Sequence, residues 1–301
     1  MQPKISNPRK VLFPDDGITK ADLAAYYAAV AKVMLPHVRR RPIMMQRWPN
    51  GIQEDLIVQQ RAPDYFPSWV KRAKVKKRTG GSVTHALIDN SATLVFLADQ
   101  ACITPHVWLS RADKPESPDQ MIFDLDPPEG DFGLACSAAR VLHKVLGELG
   151  LAPFVKTTGA KGLHVQVPLD RRARFDDVRA FARDVASLIA ARDRRFTTEQ
   201  RKAKRRGRLY LDVMRNAYGQ TAVAPYAVRA RAGAPVATPL DWRELADRRL
   251  APERFTLKTV PRRLKQRGDP WREMARQGHA LGRARRRLSA FDKSRSALPA
   301  R

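Results

Sequence analysis

Asp124 and Asp126 stand two residues apart in MIFDLD, a run that alternates apolar and acidic residues as a half-buried strand does. On a strand that spacing sends both carboxylates to one face. A third carboxylate, Asp212, sits in RLYLDV, a second alternating run. Three gathered carboxylates repel one another unless cations lie between them, and such a set can hold two hard divalent ions. Two ions close together can activate an attacking oxygen and stabilise a leaving one in phosphoryl chemistry. By itself Asp-x-Asp also ends many ordinary strands before a turn. The third carboxylate, placed by an independent strand, is what favours chemistry.

A second cluster is TGAKGLH, Thr158 to His164. Its glycines allow a tight turn whose N–H groups can face an anion. Lys161 adds a positive charge, Thr158 a hydroxyl, and His164 follows on the next strand. A nucleoside triphosphate suits such a loop. Downstream, VMRNAYGQTAVAPYAVRAR ties Asp212 to Arg229 and Arg231. Arginines beside a two-metal site hold phosphates, and arginines in a basic chain also simply face solvent.

The elements that must position these groups follow from periodicity. MIFDLD is a strand, and Leu134 to Leu146 repeat at helical spacing up to Gly150. PFVKTT and LHVQVPL are strands around the GAKG turn, Phe175 to Ile189 mark a second helix, and RLYLDV is the last strand. The order β-α-β-β-α-β is the split unit of ferredoxin-like and RNA-recognition-motif folds. Its strand order 4-1-3-2 predicts Asp124 and Asp126 beside Asp212 on one side and His164 on the other. One face is apolar, and the other gathers the carboxylates and the histidine.

Upstream, Thr19 and Asp22 form a variant capping box that opens a helix ending at Pro36. Residues 42–69 read as short strands with loops, 71–80 as a basic loop, and 86–88 and 93–97 as weak strands. From about residue 262 the chain reads as an arginine-rich basic tail, in part helical.

Lys and Arg number 57 against 30 Asp and Glu in 301 residues, a formal charge of +27, so polyanions are the expected partners. Nucleic acid comes first, with an anionic membrane surface as the weaker alternative. Two cysteines exclude a disulfide scaffold and a four-cysteine zinc site and fit a reducing cytoplasm. No signal peptide and no membrane-spanning run is visible.

Taken together, these stretches resemble the polymerase domain of bacterial ligase D, of the archaeo-eukaryotic primase superfamily. Its motifs are a DLDP strand, an S-G-x-K-G-x-H loop, and an aspartate strand followed by N-x-x-G-x-T-A-x-A-P-Y-S-x-R-x-R. Here they read FDLDP, TGAKGLH and LDVMRNAYGQTAVAPYAVRAR, and the likeness runs from about residue 5 to at least residue 257. The resemblance implies an α+β fold: a primase-type catalytic core with an RNA-recognition-motif-like sheet plus an N-terminal α/β portion. The expected division is 1–262 for the polymerase domain, parted near 118, and 263–301 for the basic tail.

The implied activity is a template-dependent nucleotidyltransferase of non-homologous end joining that fills gaps and extends broken DNA ends. It would take NTPs in preference to dNTPs, with two divalent cations, Mn2+ in preference to Mg2+. Asp124, Asp126 and Asp212 match the metal ligands and, with His164, the catalytic set. Thr158, Lys161, Gly162, His164, Arg205 and Arg229 match nucleotide contacts, and His106 resembles a family active-site histidine. Asn7, Lys10 and Lys20 match a pocket for the 5′-phosphate of the DNA. Leu56 and Ile57 stand at the template contact, where many relatives carry two phenylalanines, and Thr158 stands where serine is usual. Ku and a separate DNA ligase are candidate partners, and the location implied is cytoplasmic, at the nucleoid. The chain lacks the K-x-D-G motif of a ligase, so it reads as a stand-alone polymerase or a fragment of a longer protein. The alternatives are a primase or other gap-filling repair polymerase, and a non-catalytic module that binds DNA ends.

Overall fold

The computed structural model describes residues 3–296. The first two and last five residues, which fall in the expected polymerase domain and basic tail, lie outside them.

Strands β1 (Val11–Phe13) and β2 (Ile18–Thr19) form a small ribbon that leads into α1 (Lys20–Val38). The capping box is present: Thr19 accepts from the Asp22 N–H, and Asp22 accepts from the Thr19 N–H. Pro36 does not end the helix, which continues to Val38. Proline there removes only the bond to the Lys32 carbonyl, and burial of His37 and Val38 outweighs that loss.

β3 (Ile43–Arg47) and β4 (Ile57–Gln59) supply the expected short strands. Half of the basic run is strand rather than loop. β5 (Arg72–Lys76) pairs with β6 (Ser82–Ala86), with Val75 buried and Lys74 and Lys76 exposed. The strand expected at 86–88 is this β6, displaced upstream, and Leu87 and Ile88 make single bridges. The strand expected at 93–97 is instead α2 (Ser91–Asp99), because Asn90 caps it by accepting from the Thr93 N–H at 2.8 Å. The unbroken apolar run TLVFL has no period of its own, so the cap decides. β7 (Cys102–Trp108) closes this portion.

Beyond it come β8 (Gln120–Asp126), α3 (Phe132–Glu148), β9 (Phe154–Thr157) and β10 (Leu163–Pro168). They are followed by α4 (Phe175–Arg192), β11 (Phe196–Thr197), β12 (Leu209–Asp212), β13 (Thr221–Val223) and β14 (Pro239–Leu240). The sheet order is β11-β12-β8-β10-β9-β14. The expected 4-1-3-2 order stands in its middle, with a strand added at each edge. Phe123, Leu125, Val165 and Leu211 pack with α3 and α4 in one core.

A second core gathers α1, α2 and β7. It also takes in Ala224 to Ala237 from far downstream, and β13 pairs with β7 in the sheet β13-β7-β3-β4. The two portions are therefore interleaved rather than joined end to end.

The residues read as tail are held to the fold. After α5 (Val260–Arg267), Trp271 is fully buried and its Nε1 donates to the Val155 carbonyl at 3.0 Å. Leu281, Ala284 and Leu288 of α6 (Leu281–Ser296) pack into the core around α3 and α4. Among the described residues no helix is long and apolar enough to cross a membrane.

Candidate active site

β8 lies between β12 and β10, and its register sets the site. Asp124 is the partner of Asp212 on one side and of His164 on the other. Alternation sends Phe123 and Leu125 into the helix-covered core and leaves Asp124 and Asp126 on the opposite face. Asp124 is buried, while Asp126 and Asp212 are half-buried.

Both oxygens of Asp124 face a partner. His164 Nε2 lies 3.3 Å from Oδ1, and Arg215 Nε lies 3.5 Å from Oδ2. Burial opposes ionisation of Asp124, but His164, then Arg215 and Lys156, outweigh it and hold the carboxyl at about 2. Burial, with help from Lys156, pushes His164 down to about 4 against the pull of Asp124. The ring is therefore neutral at pH 7, with its proton on the nitrogen that faces the carboxylate.

The other two carboxylates behave oppositely. Burial and the charges of Asp124 and Asp212 push Asp126 up to about 6. Asp212 is raised by burial and by Asp124, although it accepts from the Met214 N–H at 2.7 Å and the Tyr210 hydroxyl at 3.3 Å. An all-oxygen set with two carboxylates crowded above their ordinary range fits a hard divalent cation. Among the described residues no three His, Cys, Asp or Glu side chains already form a metal cage.

The glycine loop is shaped by close approach. A Cβ on Gly162 would lie 2.0 Å from the Leu125 carbonyl oxygen, so only glycine lets the loop rest on β8. Gly159 has φ +64°, and a Cβ there would meet Arg229 Cγ at 2.7 Å. The Thr158 hydroxyl is engaged within the loop: it accepts from the Ala160 and Gly162 N–H groups at 3.3 and 3.2 Å. Its position thus builds the turn. Lys161 opens onto a cavity of about 620 Å³ that Asp126 and Arg205 also line. Arg205 lies 4.2 Å over the Tyr210 ring and donates to the Glu199 and Gln200 carbonyls.

His106 reaches the site from the other sheet, on β7. Both its nitrogens are buried without a partner, and burial followed by Arg229 pushes it well below its ordinary range. Arg229, largely buried, is lowered by burial and by Arg231. Arg231 itself faces Glu253 at 3.9 Å.

Motif reading passed over two residues. Lys156, on β9 opposite His164, is fully buried, its ammonium has no partner, and burial followed by Arg229 lowers it to about 7. The alternation of PFVKTT, applied with the same register, would have found it. Arg215, three residues past Asp212, carries no periodicity signal.

At the N-terminus, Asn7, Lys10 and Lys20 are brought together. Lys10 N–H donates to the Asn7 carbonyl and Lys20 N–H to the Lys10 carbonyl. Lys10 Nζ donates to Asn50, whereas the buried Lys20 ammonium is held by Ser6 and by Asp99 at 3.4 Å. Leu56 and Ile57 are exposed, 44% and 46%, at β4, the outer edge of the β7 sheet.

Compared with known proteins, residues 19–271 match the model of the LigD primase-polymerase domain. The multifunctional non-homologous end joining protein LigD of Mycolicibacterium smegmatis is 34% identical over 256 residues, which covers 84% of this chain and 34% of that protein. The bifunctional non-homologous end joining protein LigD of Bacillus subtilis is 32% identical over 265 residues, covering 87% and 42%. The chain thus spans about a third of the length of its mycobacterial relatives. The polymerase domain from Mycobacterium tuberculosis ligase D, solved in complex with DNA, superposes with a TM-score of 0.87 at 32% identity, over 92% of this chain and 99% of that one. The chain belongs to the LigD primase-polymerase domain family.

Proposed function

We propose that this chain is a template-dependent nucleotidyltransferase that fills gaps and extends ends in DNA break repair by non-homologous end joining. The register that sets Asp124 between Asp212 and His164, with Asp126 two residues on, is the observation that carries this reading. In the reaction the primer 3′-oxygen attacks the α-phosphorus of a nucleotide, its proton leaves, and the bond to pyrophosphate breaks.

Asp124, Asp126 and Asp212 would hold divalent cations, Mn2+ in preference to Mg2+, which supply charge to acidify the hydroxyl and neutralise the leaving group. His164, neutral, holds Asp124 in place through its Nε2 proton. Lys161 and Arg205, which line the cavity with Asp126, bind phosphate oxygens of the nucleotide, and Arg229, whose charge His106 feels, adds to the set. The Thr158 turn keeps Lys161 aimed there. Lys10, with Asn7 beside it, takes the 5′-phosphate of the downstream strand, and the paired Lys20 fixes that arm. NTPs are preferred to dNTPs, and Ku and a ligase act with the chain at the broken end.

The test is incorporation of labelled ATP against dATP on a one-nucleotide gap bearing a 5′-phosphate, with Mn2+. ATP is incorporated by the wild type and not by Asp126→Ala. Tight binding of that duplex without incorporation by the wild type would make the chain an end-binding module instead.

A further inference from the structure

Arg215 faces Asp124, one of the candidate cation ligands, and its place is built by the fold. On one side Met214 N–H donates to Asp212. On the other the fully buried Asn216 side chain grips β8: its Oδ1 accepts from Ile122 N–H at 2.8 Å, and its Nδ2 donates to the Ile122 carbonyl at 2.7 Å. The short turn Met214–Asn216 is pinned at both ends, and the residue between the pins sends its guanidinium to Asp124 Oδ2.

The two partners of Asp124 differ in freedom. The His164 side chain is 4% exposed and the Arg215 side chain 40%. Arginine stays charged at any working pH, so it gives up an oxyanion only by moving away. Its charge bears on all three carboxylates of the site.

We propose that Arg215 is a displaceable counter-ion of Asp124, which holds Oδ2 until a divalent cation takes that oxygen and so lowers the affinity of the chain for the cation alone. The inference rests on the reading of Asp124, Asp126 and Asp212 as cation ligands. A divalent ion brings two charges to bonding distance where the guanidinium brings one, and a half-exposed guanidinium returns to water at small cost. Nucleotide phosphates, which both ligate the cation and accept from arginine, relieve the competition. Cation and nucleotide therefore load together, and the cation affinity of the wild type rises more on adding nucleotide than that of a variant without the guanidinium.

The experiment is Mn2+ binding to the full chain without nucleotide, read as loss of the free-ion EPR signal. Asp124→Asn abolishes binding. Arg215→Met tightens it by about three- to fivefold, the upper size of a partly exposed ion pair. Arg215→Lys lies between that variant and the wild type. Arg183→Met, which removes an exposed charge on α4 behind the apolar face of the sheet, changes the affinity by less than about twofold. The Arg215 Nε–H resonance shifts along a Mg2+ titration with the midpoint of cation binding. Binding lost in Asp124→Asn but no tighter in Arg215→Met overturns the counter-ion role and leaves the cation site standing. Equal tightening in Arg183→Met also overturns it, as a general charge effect. Equal binding by wild type and Asp124→Asn removes both the cation site and the inference built on it.

Discussion

The two ends of β8 use buried carboxylates in opposite ways. Asp119, just before the strand, accepts from Arg41 Nη2 and from Arg111 Nε, both at 2.8 Å. Burial works against its charge, yet the two guanidiniums hold the carboxyl below its ordinary range. About 17 Å away along the strand, Asp124 takes the available partners, while Asp126 and Asp212 are crowded upward. At the amino end the carboxylate is paired by guanidiniums. At the carboxyl end two carboxylates are crowded by their neighbours, a repulsion that a cation would relieve. A matched buried charge fixes the fold, and an unmatched one is where a ligand has something to do.

The largest expected effect falls at the unmatched end. Asp126→Asn lowers incorporation on a gapped duplex by more than about 10³-fold. Stability moves the other way. Because the folded pKa of Asp126, about 6, lies above that of the unfolded chain, its contribution is full below about pH 4 and is lost as pH rises through about 6, so the ionised group weakens the cation-free fold. Asp126→Asn therefore melts no lower than the wild type at pH 8, and by a few degrees higher at most.

At the matched end the ranking inverts. Asp119→Asn leaves Arg41 and Arg111 without their partner and costs about 3–5 kcal/mol in urea unfolding. The folded pKa of Asp119 lies below that of the unfolded chain. Its contribution is therefore full above about pH 4 and disappears as pH falls through the folded value. The wild-type stability curve drops on acidification there, and the variant curve is flatter.

A smaller effect sharpens the contrast at the loop. In Gly162→Ala the new methyl meets the Leu125 carbonyl, and the loop must lift from β8. The KM for nucleotide rises by about tenfold or more, with a modest change in melting temperature. The smallest lies at the exposed edge of the other sheet, away from both ends of β8. Ile57→Phe adds an aromatic face at a half-exposed position and tightens binding of a single-stranded template by about fivefold, measured at fixed salt.

Much of this contrast is legible in the sequence. Strict alternation in MIFDLD, LHVQVPL and RLYLDV fixes which residues share a face, and the split β-α-β-β-α-β order fixes which strands are neighbours. The partners of Asp124 follow from those two facts. Alternation is silent where function uses a turn. Arg215 owes its place to Asn216 bonding the backbone of β8, a contact across 94 residues that no local pattern announces.

The first portion is less legible for the same reason. TLVFL is apolar throughout, so one cap selects helix, and KRAKVK becomes strand because Val75 is buried against its hairpin partner. The return of Ala224 to Ala237 into the N-terminal core is a tertiary fact, and so is the docking of Leu281 to Leu288. Both make the sequence-based boundaries near 118 and 262 look sharper than the packing is.

The measurement that tests the central contrast is a paired one, the urea midpoint and the single-nucleotide incorporation rate on the same preparations of Asp126→Asn and Asp119→Asn. The expected result is a crossing. Asp126→Asn keeps the wild-type midpoint and loses incorporation, whereas Asp119→Asn loses several kcal/mol of stability and keeps incorporation per folded molecule. Incorporation retained by Asp126→Asn, or an unchanged midpoint for Asp119→Asn, would contradict the division of β8 into a catalytic end and a structural end.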